Sequence, residues 1–403
     1  MRGRHPFNFL SSGAAGPGVH RENTNVNTNE IGQAIANVTL PRRSFLRNTL
    51  LLAVPVALGG TALSAFAYAP PVRTRGTAVI SVKDKGAVGD GVRDDTAAIQ
   101  AAINALPSTG GTVVIPAGTY LIDTTKKINL RSLMHLQMDP AAVLKAKTAS
   151  VARHYILYVN GKSDVEISGG QLVGERETHR YMTSSTDEWG HGIQILGGKR
   201  VTVRDLHVSK CTGDGVCIGG KSSDVVIANI VSTGNRRQGL SITNCSNIKV
   251  YDSEFSYTQG TSPECGIDIE PDAGYTCSNV WIENCRLNNN KKYGINIWKN
   301  VSGVTVTKSV LEYNGSLGMS THYCSNIKVT GNTFRYNSAT GVVFNDGTRD
   351  LTHSGNLSYG NYTRLSTKTR TPFTLTGWSS KVERDILRRG TLTNVVIGTN
   401  NYQ

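Results

Sequence analysis

Apolar and polar residues alternate with a period of two through most of the chain, and glycine resets the alternation at regular intervals. The restarts are Gly192 (GIQI), Gly215 (GVCI), Gly239 (GLSI), Gly266 (GIDI), Gly294 (GINI), Gly318 (GMST) and Gly341 (GVVF), spaced 23, 24, 27, 28, 24 and 23 residues apart. Between them lies a second alternating segment: RVTVRDLHV, DVVIANIVS, NIKVYDSEF, NVWIENCRL, GVTVTKSVL and NIKVTGNTF. DVEISGGQL, from Asp164 to Leu172, marks an earlier copy. Period-two alternation predicts half-buried strands, with Gly and Asn supplying the turns between them. One such repeat cannot bury its own apolar face, so coils must stack, strand on strand at about 4.8 Å. Coils of this length hold two or three short strands each. The expected fold is all-β, a single-stranded parallel β-helix. Propeller blades are longer and carry four strands.

The same register stacks like residues. Cys245, Cys277 and Cys324 share one position in NCSNIKV, TCSNVWI and YCSNIKV, and Asn247, Asn279 and Asn326 form a companion column at a turn. Seven cysteines, an odd number without a C-x-x-C pair, argue against a disulfide framework and a zinc ribbon. A buried thiol column is expected, and no metal site.

Residues 1–40 are polar and read as a disordered extension. Residues 41–67 combine Pro41-Arg42-Arg43-Ser44-Phe45-Leu46-Arg47, a weakly apolar run and Ala65-Phe66-Ala67. That segment resembles a twin-arginine export signal with a small-x-small cleavage site, which implies an exported protein that meets the membrane only in transit. The repeat body is set at residues 77–360. Residues 361–403, where the repeat fades into a basic stretch, are assigned to a C-terminal cap or tail. Net charge is +14, most of it outside the first 67 residues. With no helix-turn-helix or zinc-finger spacing, the charge points to an acidic glycan rather than nucleic acid.

Ahead of the repeats, Asp94-Asp95-Thr96 precedes AAIQAAINAL, an amphipathic helix placed to close the end of the solenoid, with an Asp as its cap. GDGVRDDTAAIQAAI followed by GGTVVIPAGTY resembles the opening of the rhamnogalacturonase/epimerase-like pectate-lyase superfamily. With the repeats, the resemblance covers roughly residues 77–350. It implies a right-handed helix and a place among glycoside hydrolases, polysaccharide lyases, uronan epimerases and phage tailspikes. It speaks to fold more than to activity. Asp90, Asp94 and Asp95 are read as structural. The polygalacturonase pattern of adjacent Asp residues with Gly-His-Gly is replaced by Asp214 alone and Arg237-Gln238-Gly239, and the epimerase Asp-Pro-His is absent.

In each Gly-started strand the first and third residues are apolar and point inward, so the second and fourth point out. The outward positions and adjoining turns bring unlike chemistry onto consecutive coils: Asp214, Arg236 and Arg237, Glu264 with Asp268 and Glu270, Lys292 and Trp298. Asp268 and Glu270 stand two residues apart, roughly 6.6 Å along a strand. Asp214 lies two coils from Asp268, roughly 9.6 Å by strand spacing. Both separations match inverting glycosidases, whose carboxyls stand about 6.5–9.5 Å apart. The expected reaction is therefore hydrolytic cleavage within a polysaccharide. Asp268 is the proposed acid, and Glu270 or Asp214 activates water. Glu264, Arg236, Arg237, Lys292, Trp298 and His191 are the expected substrate contacts, Trp298 by stacking on a sugar ring. This chemistry needs no cofactor. The alternative is a lyase or uronan C5-epimerase, in which Arg237 or Lys292 acts beside a uronate and the carboxylates take Ca²⁺. A non-catalytic glycan-binding rod is the third reading. The sequence names neither the sugar nor the oligomeric state.

Overall fold

The computed structural model describes residues 68–181, 187–361 and 386–402, with the backbone of 382–383. The expected N-terminal extension, the export signal and most of the expected C-terminal tail lie outside the described residues.

Parallel strands stack into three faces. The first runs through Arg153–Asn160, Trp189–Leu196, Val216–Gly219, Gln238–Ile242 and Cys265–Ile269, and on into Ile295–Thr307, Met319–Thr330 and Val342–Phe344. Its inward column reads Leu157, Ile193, Val216, Leu240, Ile267, Ile295, Met319 and Val342, each opposite the next and buried. Each buried aliphatic side chain in such a column contributes about 1.5–3 kcal/mol. Segments that read in sequence as one strand, such as Lys199–Ser209 and Ser222–Thr233, serve the second and third faces in turn. They turn the corner at a single left-handed residue, Asp205 in one and Asn229 in the other.

The glycine period has a steric cause. None of the glycines that start the first-face strands, from Gly192 to Gly341, has a positive φ. A Cβ on Gly239, Gly266, Gly294 or Gly318 would instead stand 2.5–2.8 Å from the carbonyl oxygen of the glycine one coil on. Only hydrogen fits at that crossing.

The thiol column holds, though Val301 interrupts it between Cys277 and Cys324. All seven cysteines are buried and unpaired. Asn247, Asn279 and Asn326 occupy left-handed corner positions, but they are exposed. Two interior asparagine ladders, which the sequence pattern does not flag, carry the buried polar load. In one, Asn290 Nδ2 donates to Asn314 Oδ1 at 3.0 Å, Asn314 to Asn337 at 2.9 Å and Asn337 to Asn361 at 2.9 Å. The other runs from Asn332 through Asn356 to Asn400. Each amide also satisfies backbone groups that the turn leaves unpaired.

The helix α1, Thr96–Asn104, buries Ile99 and Ile103 against the first coils. The N-cap position falls on Asp95, whose carboxylate ties the backbone of Val88 and Gly89 instead of capping the helix, while Asp94, one residue earlier, accepts the Thr96 N–H at 3.0 Å. At the other end the fold outruns the sequence pattern. Ile386–Arg388, Thr393–Ile397 and Asn401–Tyr402 add a last layer to the three faces, within the segment assigned to a cap or tail.

Two substitutions test this packing. Gly294→Ala is expected to cost about 1–3 kcal/mol through overpacking against Gly318. Asn337→Ala, which orphans buried groups on Asn314 and Leu311, is expected to cost at least about 2 kcal/mol. Urea unfolding midpoints measure both, and Lys328→Ala at an exposed strand position serves as the near-neutral control.

Candidate functional site

The register places the outward residues as the alternation predicts: Gln194, Cys217, Ser241, Asp268, Asn296 and Ser320 lie opposite one another along the first face. Two carboxylates are embedded there in different surroundings.

Asp214 is completely buried. Ser241 Oγ donates to it at 2.7 Å, and the Arg237 guanidinium lies 3.1 and 3.3 Å from its two oxygens. Arg237 also donates to Gln238 Oε1 at 3.0 Å, stands 3.6 Å from Glu188 and lies 5.9 Å from the Trp189 ring centre. Burial works against its charge, but Asp214, Asp268 and Glu188 outweigh that and hold it firmly cationic.

Asp268 has a different problem. It is buried, Asn296 Nδ2 donates to one carboxyl oxygen at 2.9 Å, and Gln238 Nε2 donates to the other. Burial, with the neighbouring charge of Glu270, pushes its pKa up to about 7 against the pull of Asn296 and Arg237. Glu270 is exposed at the strand end. Desolvation of its carboxyl raises its pKa, opposed by Arg237 and by a hydrogen bond with Asp268. The two carboxyls, two residues apart on one strand, perturb each other's titration. Asp268 holds its proton near neutrality, and Glu270 reaches solvent beside it. Such a pair can give and take a proton at one place.

Several expected contacts are corrected by their placement. His191 has no solvent-exposed side-chain surface. Its Nδ1 accepts the backbone N–H of Asp214 at 3.0 Å, and burial lowers its pKa to about 4. It shapes the turn through this bond. Arg236 points away from the face, donating to the Asp187 carbonyl at 2.7 Å with Tyr181 packed 4.5 Å beneath it. Glu264 is buried, accepts the Gly260 N–H at 2.9 Å, and lies 3.3 Å from Lys291 and 3.7 Å from Lys292. It fastens its own loop. Lys292, half-exposed, donates to Ser262 Oγ at 2.7 Å. Asp214, with no exposed surface, positions Arg237 and cannot itself activate a water from solvent. Trp298 is partly exposed and stacks on His322 at 4.2 Å, with Lys299 above it. Gln238, Ser241, Asn296, Glu188 and Trp189 were missed as site residues. Ser241 and Asn296 could have been found by reading the outward column for hydrogen-bond donors as well as charges, and Gln238 by reading the residue before Gly239 in the same way.

Arg237→Gln leaves Asp214 buried without its counter-charge and is expected to cost about 3–5 kcal/mol. Adding Asp214→Asn should restore much of that stability in urea unfolding. Asp268 makes a pH-dependent contribution. Its folded pKa is raised, so the stability associated with the bound proton is fully present below its ordinary value near 3.8 and is lost as pH rises through about 7. Asp268→Asn should therefore gain stability on the natural protein between about pH 4 and pH 7, a gap that levels off above that range.

The family model for the right handed beta helix region matches residues 144–311 and 266–384. YclG of Bacillus subtilis, described only as uncharacterised, is 31% identical over 268 residues, 59% of this chain and 44% of YclG. Mannuronan C5-epimerase AlgE4 of Azotobacter vinelandii is 31% identical over 179 residues, 40% of this chain and 31% of AlgE4. The solved A-module of AlgE4 aligns over 80% of this chain and 97% of the module, with a TM-score of 0.57 at 20% identity. PfbA, a surface adhesin of Streptococcus pneumoniae, aligns over 81% of this chain and 90% of its own, with a TM-score of 0.62 at 18% identity. The matched part of the chain spans less than half the length of these curated relatives. With more than half of its residues matched by the family model and three parallel faces in register, the chain belongs to the right-handed β-helix family.

Proposed function

We propose that this protein is an exported carbohydrate-active enzyme that cleaves a polysaccharide by hydrolysis on the first face. The observation that carries the reading is the buried Asp268 carboxyl, which burial and Glu270 hold protonated toward neutral pH, with exposed Glu270 on the same strand and the cation of Arg237 nearby. Asp268, protonated near neutral pH, donates to the leaving glycosidic oxygen. Glu270, open to solvent, receives the proton of the attacking water. Arg237, held by Asp214, faces an anionic group of the substrate, and Trp298 offers an aromatic platform for a neighbouring sugar. Inversion, the expected outcome, requires the carboxyls to part to about 6.5–9.5 Å around the substrate and water. Retention would keep them nearer about 5–5.5 Å, so the anomer released reports the choice. Export is supported by the twin-arginine-like residues 41–47 and by the likeness to a surface adhesin.

The second reading is a lyase or uronan epimerase. The AlgE4 relationship and the basic charge favour it. There Arg237 would neutralise a uronate carboxylate while the Asp268–Glu270 pair moves the proton beside it.

The full chain, incubated with acidic and neutral polysaccharides with and without chelator, is expected to release reducing ends without the ultraviolet absorbance of an unsaturated uronate. Asp268→Asn should lower the rate by about 10²–10⁴-fold. Trp298→Ala should raise KM more than it lowers kcat. Ultraviolet absorbance, or exchange of the uronate C5 proton without cleavage, would move the assignment to elimination or epimerisation. Saturable binding without any product would leave the adhesive reading.

A further inference from the structure

A second cluster of titratable groups lies beside the first face and takes no part in the proposed reaction. His154 stands on the strand Arg153–Asn160. Glu175 and His179 belong to the connection that leaves the strand Gln171–Val173 and returns as Trp189–Leu196. His154 Nε2 lies 2.7 Å from Glu175 Oε1, and His179 Nδ1 lies 3.0 Å from the same oxygen. Thr212 Oγ1 donates to the other carboxylate oxygen at 2.6 Å. All three titratable side chains are buried, at 4% exposure or less.

With His154 neutral the protons do not balance in a hydrogen-bonded network; the metal-free alternative is a buried imidazolium held between the Val151 carbonyl and Glu175. His154 Nδ1 lies 2.8 Å from the carbonyl oxygen of Val151, a pure acceptor, so the ring carries its proton there. In the neutral imidazole Nε2 is then a lone pair, and it points at a carboxylate oxygen. His179 has the converse defect: its ring is fully buried, yet Nε2 has no hydrogen-bond partner and faces Asp187 Oδ2 across 3.9 Å. A cation among His154 Nε2, Glu175 Oε1 and His179 Nδ1 removes both defects. It takes the lone pair of His154 while Nδ1–H stays on the carbonyl. It also fixes the His179 proton on Nε2, toward Asp187. Ligating histidines characteristically give their other N–H to a carbonyl or carboxylate in this way.

We propose that His154, Glu175 and His179 form a binding site for a divalent transition-metal ion, with zinc the best chemical fit. Two imidazoles and one carboxylate suit zinc, whereas calcium and magnesium favour oxygen-only shells. Tetrahedral zinc–ligand bonds of about 2.0–2.2 Å put donors about 3.3–3.6 Å apart, so the present 2.7 and 3.0 Å separations must open by about half an ångström or more. The ion would staple the 174–188 connection to the solenoid. That connection delivers Glu188 and Trp189 to the flank of Arg237, and Thr212 lies two residues before Asp214. The site is thus a positioning device for the first face, argued independently of the reaction proposed there.

The test uses the full chain, stripped with chelator and titrated with Zn²⁺ or Co²⁺. One Co²⁺ per chain is expected, with visible absorption of a low-symmetry site and no thiolate charge-transfer band. Zn²⁺ in excess should raise the unfolding temperature by several degrees. His179→Gln and the near-isosteric Glu175→Gln should each lower metal affinity at least about 10-fold, whereas Lys328→Ala, at an exposed position on the strand Met319–Thr330, should leave it unchanged. A thiolate band would place the ion at Cys217, near His191 and Asp214, and overturn the assignment. So would the absence of saturable binding to the natural protein, or affinity unaltered in both ligand variants. Circular dichroism of each variant separates lost ligation from lost folding.

Discussion

Everything on the first face depends on a carbonyl oxygen that passes within 2.5–2.8 Å of where a side chain would begin on the glycine of the preceding coil. That contact fixes where each coil starts over the last. A parallel ladder has no intrinsic register beyond its hydrogen bonds, and a slip of one residue would turn every inward isoleucine outward. The glycine crossing, together with the buried asparagine ladders at the turns, makes such a slip sterically and electrostatically costly. The outward column is then as well placed as the core it backs onto.

This rigid column explains how one face holds two carboxylates in different surroundings. Asp214 and Arg237 form an ion pair to which Ser241 and Gln238 add hydrogen bonds, and Arg237 Nε faces Glu188 at 3.6 Å. Asp268 lies within the field of the same arginine but lacks a cation of its own. Neutral amides from Gln238 and Asn296 are its direct partners, and burial drives its proton back on. The difference comes from which residue each coil presents at a shared position, not from any local distortion. A fold of repeated coils can vary chemistry in this way while leaving the backbone untouched.

The architecture was legible because periodicity is a property of sequence. The spacing of glycines, the alternating strands and the capping helix with Asp94 all report packing that recurs coil after coil. The final layer, residues 386–402, was not legible, because its pairing partners lie a long insertion away and the period is broken. The site was legible in part. Register alone brings Asp214, Arg237 and Asp268 together, but it cannot say how deeply a side chain sinks. His191 and Glu264 are polar residues at outward turns, and only the tertiary structure shows that neighbouring loops bury them. The His154–Glu175–His179 cluster gathers residues from two segments with no recognisable ligand spacing, so no motif could announce it.

The most direct test of the central claim is a crystal structure of the Asp268→Asn variant with an oligosaccharide drawn from a polysaccharide the protein processes. The account predicts a glycosidic oxygen within hydrogen-bond reach of the substituted amide side chain at position 268, Glu270 across from it, and a sugar ring against Trp298. A chain of sugars lying instead along the exposed tyrosines of the third face, such as Tyr313 and its stacked neighbour Tyr336, with the first face uncovered, would contradict it.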